Sequence, residues 1–459
     1  MAGRTVTAGE TAVAGGAAAG TSAETTLRDV LPVGEENGTF VGRVWDPARG
    51  APVPVAYRGT GLWDVSQLAG TSATLMERAD LAAELAEVYA TEPTWHIEEV
   101  RLPEQATGPV SVSGAGPASG AGPASGAGPA SGAGPDAAAA AGDSAGRGEA
   151  ASAPVLLAPV DLQVLKACGV TFAGSMIERL IEERAQGDPA RAQQIREEMQ
   201  AAVGVDLSAV VPGSAEAAAV KEQLLGLGWW SQYLEVGLGP DPEVFTKGPV
   251  LSAVGTGDAI GIPAFSAWNN PEPELTLVVT AEGRIAGVTL GNDVNLRDVE
   301  GRSALLLGMA KDNNRSTALG PVIRVFDEGF TLDDARTVSI ELTVEGASEA
   351  AGGDGYVLRG LNTCGSLSRT FERLVDAALG DHHQYPDGCV ILTGTLFAPT
   401  EDRAVPGEGF THALGDRVVI ENPLLGRLVN TVGRTEELEP WTYGVRALFA
   451  DLARAGLQA

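Results

Sequence analysis

The sequence predicts an α+β chain in which strands dominate, on three observations. Apolar runs bounded by turn residues fill the stretch from 245 onward, amphipathic helical periodicity is confined mainly to that region's entry and exit, and hydrophobic residues make up 44% of the 459, enough for a large core. In the strand-rich part, Leu275–Val279 and Arg284–Leu290 flank the turn Glu282-Gly283 and read as a hairpin. Val338, Ile340, Leu342 and Val344 alternate with polar residues before a second hairpin at Gly352–Asp354, and Arg417–Glu421 and Leu428–Val432 add late strands. Helices are expected around Met176, Ile177, Leu180 and Ile181, again around Ile195, Met199 and Val203 after the breaking pair Asp188-Pro189, and finally over Trp441–Ala455.

The N-terminal third is organised differently. Residues 1–37, rich in Ala, Gly and Thr and without a compact apolar h-region, are expected to be a disordered tail with no secretory signal. Residues 38–104 mix strand-like runs (Phe40–Val44, Val53–Tyr57, Thr94–Leu102) with a helix near Leu81–Tyr89, and predict a small accessory domain that contains no nucleophile, metal cluster or phosphate loop. Residues 105–153 carry the hexapeptide GAGPAS, starting at Gly114, Gly120 and Gly126, and the run Ala137–Ala141. Such a segment cannot bury enough apolar surface to offset its ordering entropy, so it reads as a flexible linker or an insertion between neighbouring strands. The catalytic domain is then 154–459.

Charge and cysteine usage narrow the function. With 31 Lys and Arg against 60 Asp and Glu the formal net charge is -29, which disfavours nucleic acid and anionic membrane surfaces as partners. No apolar run approaches the roughly 18 residues of a membrane helix. Cys168, Cys364 and Cys389 are odd in number and far apart, a usage that suits a reducing cytoplasm and neither a disulfide framework nor a zinc knuckle.

The segment that carries chemistry is Asn269-Asn270-Pro271-Glu272-Pro273-Glu274-Leu275. Residues i and i+2 of a strand share a face, so Glu272 and Glu274 aim two carboxylates at one point. A Glu-x-Glu pair in a chain this acidic is ordinarily a solvated edge. Here the next strand ends in Gly291-Asn292-Asp293 and returns a third carboxylate beside the first two, a hard oxygen set suited to Mg²⁺ or Mn²⁺. Lys311 is either a counter-ion to that cluster or an amine that takes a proton next to a polarised carbonyl or stabilises the enolate that forms. Gly394 and Thr395, at the end of Leu392-Thr393-Gly394-Thr395, offer backbone N–H groups and a hydroxyl for a substrate carboxylate.

In ordered series, Phe245-Thr246-Lys247, PEPEL at 271–275, GNDVNLRD at 291–298, AKDNNRSTALGP at 310–321 and PDGCVILTGT at 386–395 resemble the fumarylacetoacetate hydrolase superfamily over about 155–433. The resemblance implies a β-rich roll of mixed sheets around a Mg²⁺ site, usually dimeric. It also implies Glu272, Glu274 and Asp293 as metal ligands, Lys311 as the catalytic lysine, Thr395 as a substrate contact, and a 2-oxo acid as substrate. One departure bears on the reaction. Hydrolase members carry a GVNYxxHxxE-like element whose His and Glu activate water, whereas this chain runs from Gly169 to Glu178 with Ser175 where the His would stand. A serine is no general base near neutrality. Elimination needs no attacking water, and the pattern is nearest the 2-keto-3-deoxyarabinonate dehydratase-like branch. The expectation is therefore dehydration of a 2-keto-3-deoxy sugar acid with Glu178 as the acid, and hydrolysis of an acylpyruvate-type C–C bond as the alternative.

Overall fold

The computed structural model describes residues 25–32, 38–105, 153–186, 188–202, 210–226, 228–229, 231–347, 353–397, 399, 401–403, 405–406 and 409–459. The N-terminal region comprises α1 (Leu27–Val30), the meander β1 (Phe40–Asp46), β2 (Ala51–Arg58) and β3 (Gly61–Asp64), helices α2 (Ser72–Met76) and α3 (Leu81–Val88), and β4 (Trp95–His96). Strands β5 (Val155–Leu157) and β6 (Val164–Gly169) lead into α4 (Ala173–Ala185), α5 (Pro189–Ala202), α6 (Ala215–Gly226) and α7 (Gln232–Leu238). Next come β7 (Glu243–Gly248), β8 (Ala259–Ile262), β9 (Asn269–Asn270), the hairpin of β10 (Pro273–Val279) and β11 (Ile285–Asp293), β12 (Asn295–Leu296), α8 (Arg297–Glu300), α9 (Leu307–Lys311) and β13 (Thr317–Val325). Then follow α10 (Leu332–Ala335), β14 (Ser339–Glu345), β15 (Val357–Thr363), α11 (Phe371–Ala378), β16 (Cys389–Leu392), β17 (Arg417–Asn422), β18 (Gly426–Arg434) and α12 (Val445–Arg454).

Two large sheets organise these elements. The larger runs β4-β3-β2-β1-β13-β11-β10-β16-β6-β7, with β5 also on β1, and the smaller runs β15-β14-β17-β18-β8. Only β16/β6 and β18/β8 are parallel among the pairs within these two sheets. Strands β10 and β13 are buried along their whole length, as continuous apolar runs covered on both faces should be. β14 alternates Ile340, Leu342 and Val344 inward against exposed Glu341 and Glu345, so one of its faces is wet. The main core lies where the two sheets face, joining Leu275, Leu277, Val288 and Leu290 to Ile340, Leu342, Ile420 and Leu428.

Three expectations are corrected. Residues 25–32 are no tail, because Leu27, Val30 and Leu31 pack with Phe40, Val55 and Val429; residues 1–24 and 33–37 lie outside the described residues. Thr94–Leu102 is no continuous strand either, since β4 gives way to a 3-10 turn over Ile97–Glu99. The N-terminal region is no separate domain: it keeps its own helices, but its apolar residues Leu75, Leu81 and Leu85 share a cluster with Val278, Leu319 and Val390, and its strands continue the larger sheet through Phe40 opposite Arg324 and Val41 opposite Ile323. The repeat falls within 106–152, outside the described residues, but its flanks meet. Arg101 N–H donates to Pro154 O at 2.8 Å, and Leu156 N–H donates to Arg101 O at 2.9 Å.

The helices expected near 176 and 195 form as α4 and α5, the second started by Asp188 Oδ1, which accepts from Ala190 N–H at 3.0 Å. Helices α6 and α7 complete a cap with an apolar centre of its own, made by Met176, Val220, Leu224, Tyr233, Leu234 and Leu238. No helix among the described residues is long and apolar enough to cross a membrane.

Candidate metal centre and active site

The β10/β11 hairpin builds the acidic cluster. Its register sets Pro273 opposite Asn292, and Asp293 N–H donates to Glu272 O at 3.1 Å, so Asp293 returns beside the pair that the i, i+2 spacing already put together. The three carboxylates offer oxygens within 4.8 Å of one another, and all three side chains are buried.

Buried cations surround them. Lys311, at the end of α9, donates to Glu272 Oε2 at 2.5 Å and Asp293 Oδ2 at 3.1 Å. Lys247, on β7 and fully buried, pairs with Asp293 Oδ1 at 3.0 Å and also donates to Ser316 Oγ at 3.1 Å and to the carbonyl of Lys311. From the cap, Arg179 contacts the other Glu272 oxygen and lies 2.8 Å from both Glu182 and Glu300. Glu182 in turn pairs with Arg297 at 2.6 Å. Glu243 of β7 sits in the field of Arg179, Lys311, Glu272 and Glu300. Gly169, its register partner, makes the room, since a Cβ there would fall 2.1 Å from Glu243 Oε2.

The charges do not balance. Six carboxyls (Glu182, Glu243, Glu272, Glu274, Asp293, Glu300) face four cations (Arg179, Lys247, Arg297, Lys311), a formal excess of two negative charges held largely out of water. Three of the six carboxyls, Glu274, Glu272 and Glu243, are shifted toward the protonated form. Burial, then Asp293 and Glu272, push Glu274 well above the usual carboxylate range, and burial raises Glu272 as well. Burial and then Glu300 bring Glu243 up to about 7. Asp293 stays below its ordinary value because Lys247 and Lys311 outweigh its burial. For Lys311, burial works against the charge, but Asp293 and Glu272 hold the ammonium above the ordinary lysine range. A divalent cation among three acceptor-only oxygens removes the excess without protons, and the donor set fits a hard ion such as Mg²⁺.

Beyond β16 the chain turns over the cluster. Gly394, at φ +96, leaves no space for a side chain, because a Cβ would meet Thr171 Oγ1 at 1.9 Å. Its N–H donates to Glu274 Oε2 at 2.7 Å, so Gly394 holds a carboxylate of the triad instead of offering that amide to a substrate. Thr393 N–H donates to Leu275 O, Leu396 N–H to Asn362 Oδ1 and Phe397 N–H to Thr395 Oγ1. Among the described residues, Thr395 N–H is the amide of this turn with no acceptor.

The structure thus brings together Glu272, Glu274, Asp293, Lys311, Gly394 and Thr395. Glu178 makes no hydrogen bond to the cluster among the described residues. Both its oxygens are held by Arg196 of α5, at 3.0 and 2.6 Å, while Arg179, the next residue, reaches the cluster. Ser175 lies in the first turn of α4, with its side chain outside the described residues. His412 stays away from the triad's hydrogen bonds, buried against Asp416 at 3.3 Å. Sequence reasoning missed Arg179, Glu182, Glu243, Lys247, Arg297 and Glu300. For Lys247 the available signal was a cation at the end of the strand-like run Val244-Phe245-Thr246-Lys247, a position that burial would require to be paired with an acid.

Residues 217–433, just under half of the chain, match the family model described as fumarylacetoacetate (FAA) hydrolase C-terminal. The chain is 33% identical over 201 residues to a probable 2-keto-3-deoxyxylonate dehydratase of Haloferax volcanii, a match covering 44% of this chain and 63% of the relative. It is 30% identical over 200 residues to 2-dehydro-3-deoxy-D-arabinonate dehydratase of Saccharolobus solfataricus, covering 43% and 60%. Each match spans less than two-thirds of the relative's length. The solved structure of a 2-keto-3-deoxy-D-arabinonate dehydratase complexed with magnesium and 2,5-dioxopentanoate aligns at TM-score 0.50 and 18% identity, over 86% of this chain and 99% of that one, a likeness of fold.

Proposed function

We propose that this chain is a Mg²⁺-dependent hydro-lyase that dehydrates a 2-keto-3-deoxy sugar acid. The observation that carries the reading is the buried triad Glu272, Glu274 and Asp293 with Lys311 hydrogen-bonded to two of its members. The two relatives whose names are those of such dehydratases support it.

Glu272, Glu274 and Asp293 would hold the ion, which when bound polarises the substrate's C2 carbonyl and so acidifies the C3 proton. Thr395 N–H and hydroxyl receive the C1 carboxylate. Lys311, kept as an ammonium, stabilises the negative charge that develops on the C2 oxygen as C3 is deprotonated. Glu243 replaces Glu178 as the proton carrier. A carboxyl near pKa 7, free of hydrogen bonds among the described residues, is suited to take the C3 proton and return it to the departing C4 hydroxyl. The C3–H and C4–O bonds break, a C3–C4 double bond forms, and water leaves.

The test incubates the pure protein with Mg²⁺ and, separately, a 2-keto-3-deoxypentonate and an acylpyruvate. Loss of water from the first with no cleavage of the second is expected. Brisk acylpyruvate cleavage with the sugar acid untouched would replace this reading by C–C hydrolysis.

A further inference from the structure

β15 is an edge strand of the smaller sheet, yet its Asn362 points inward and is 1% exposed. Nδ2 donates to Pro273 O at 2.7 Å and to Gly394 O at 3.3 Å, while Oδ1 accepts from Leu396 N–H at 3.1 Å. Two carbonyls on one side and an N–H on the other fix the orientation of the amide, because the flipped group would set oxygen against oxygen.

The three partners are not arbitrary. Pro273 lies between the ligands Glu272 and Glu274, and Gly394 and Leu396 lie on either side of Thr395. One side chain therefore touches the backbone of the metal-ligand segment and brackets the residue whose amide is unengaged. The ligand segment has other supports, since β10 is paired on both edges, to β11 and β16. Past Leu392 the turn has left strand β16, and its position relative to the triad depends on fewer contacts.

We propose that Asn362 is a positioning residue that sets the separation between the carboxylate triad and the two donors of Thr395, and so governs recognition of the C1 carboxylate of a 2-oxo acid. The proposal rests on the function argued above. Gly394 N–H also ties the turn to the triad, on Glu274 Oε2, but Asn362 is the side chain that bonds on both sides of Thr395 and to the ligand segment at once.

Two titrations by calorimetry test it: Mg²⁺ into metal-free protein, then oxalate, a non-reacting stand-in for the carboxylate and adjacent oxygen of a 2-oxo acid, into Mg²⁺-loaded protein. Asn362→Ala should leave Mg²⁺ affinity within about threefold and weaken oxalate about ten- to hundredfold, the range for an unpaired buried polar group. With substrate, KM should rise more than kcat falls. Asn362→Asp keeps the acceptor for Leu396 but sets a carboxylate against two carbonyls, a repulsion that protonation relieves by giving one O–H donor to the nearer carbonyl, Pro273 O. Its oxalate affinity relative to wild type should recover between pH 8 and pH 5.5, and this variant carries the test if Asn362→Ala does not fold. Equal losses of Mg²⁺ and oxalate affinity, unchanged oxalate affinity, or no pH-dependent recovery in Asn362→Asp would overturn the proposal. Wild-type protein that binds Mg²⁺ but not oxalate would overturn the proposed function itself.

Discussion

Lys247 serves several masters at once. Its buried ammonium pairs with Asp293, reaches Ser316 and caps the carbonyl that ends α9, so it fixes both a ligand and the helix end that carries Lys311. Lys247→Met should destabilise the fold by about 3–5 kcal/mol, since removing one partner leaves a buried charge uncompensated; urea unfolding with and without Mg²⁺ measures it. Glu274 and Glu243 predict the opposite sign. Their folded pKa values lie above the unfolded ones, so the unfolded chain loses these protons first, and each group lowers stability as pH rises from the ordinary carboxylate range, for Glu243 through about 7. Glu274→Gln and Glu243→Gln should therefore raise the melting temperature of metal-free protein more at pH 8 than at pH 5. A gain that is equal at both pH values would mean that neither carboxyl is ionised against its environment. At this scale the triad was legible because a period of two and a hairpin return are local facts. Arg179 and Glu300 were not, because their pairing joins residues 121 positions apart across a cap whose docking no short pattern encodes.

Among the elements, the strands were the most legible, and the reason is burial. β10, β13 and β14 announce themselves by apolar runs or alternation, whereas α6 mixes Ala, Glu and Leu with little one-sidedness and gave no period to read. The cap that α6 helps to build nevertheless reaches the carboxylate triad through Arg179, whose guanidinium offsets part of its charge. Replacing it by Gln raises the local excess of negative charge from two to three and leaves Glu182 and Glu300 short of a partner. Arg179→Gln should lower the melting temperature of metal-free protein while enlarging the upward shift that a fixed Mg²⁺ concentration produces, because the ion supplies the charge that was lost. A Mg²⁺ shift identical to wild type would reduce Arg179 to a tie between cap and sheet.

For the molecule as a whole, the low-complexity composition of the repeat was plain in the sequence and an insertion between neighbouring strands was one of its two readings, but the hydrogen bonds that join its flanks were not legible, since they depend on strands placed by the rest of the sheet. Deleting 110–150 should change the melting temperature and turnover little, because a shortened loop alters closure entropy only slowly and Arg101 is already bonded to Pro154 and Leu156; scanning calorimetry and the dehydration assay check it. The same closure has a consequence for how the protein can be divided. β1 is laid between β13 and β2 and carries β5 as well, so four strands contributed by residues before the repeat are inseparable from a sheet contributed mostly by residues after it. A chain severed inside the repeat would yield two polypeptides, neither with a complete sheet and each presenting the edge that the other fits. Expressed together they should find one another and restore a working enzyme, and expressed apart each should aggregate along that open edge.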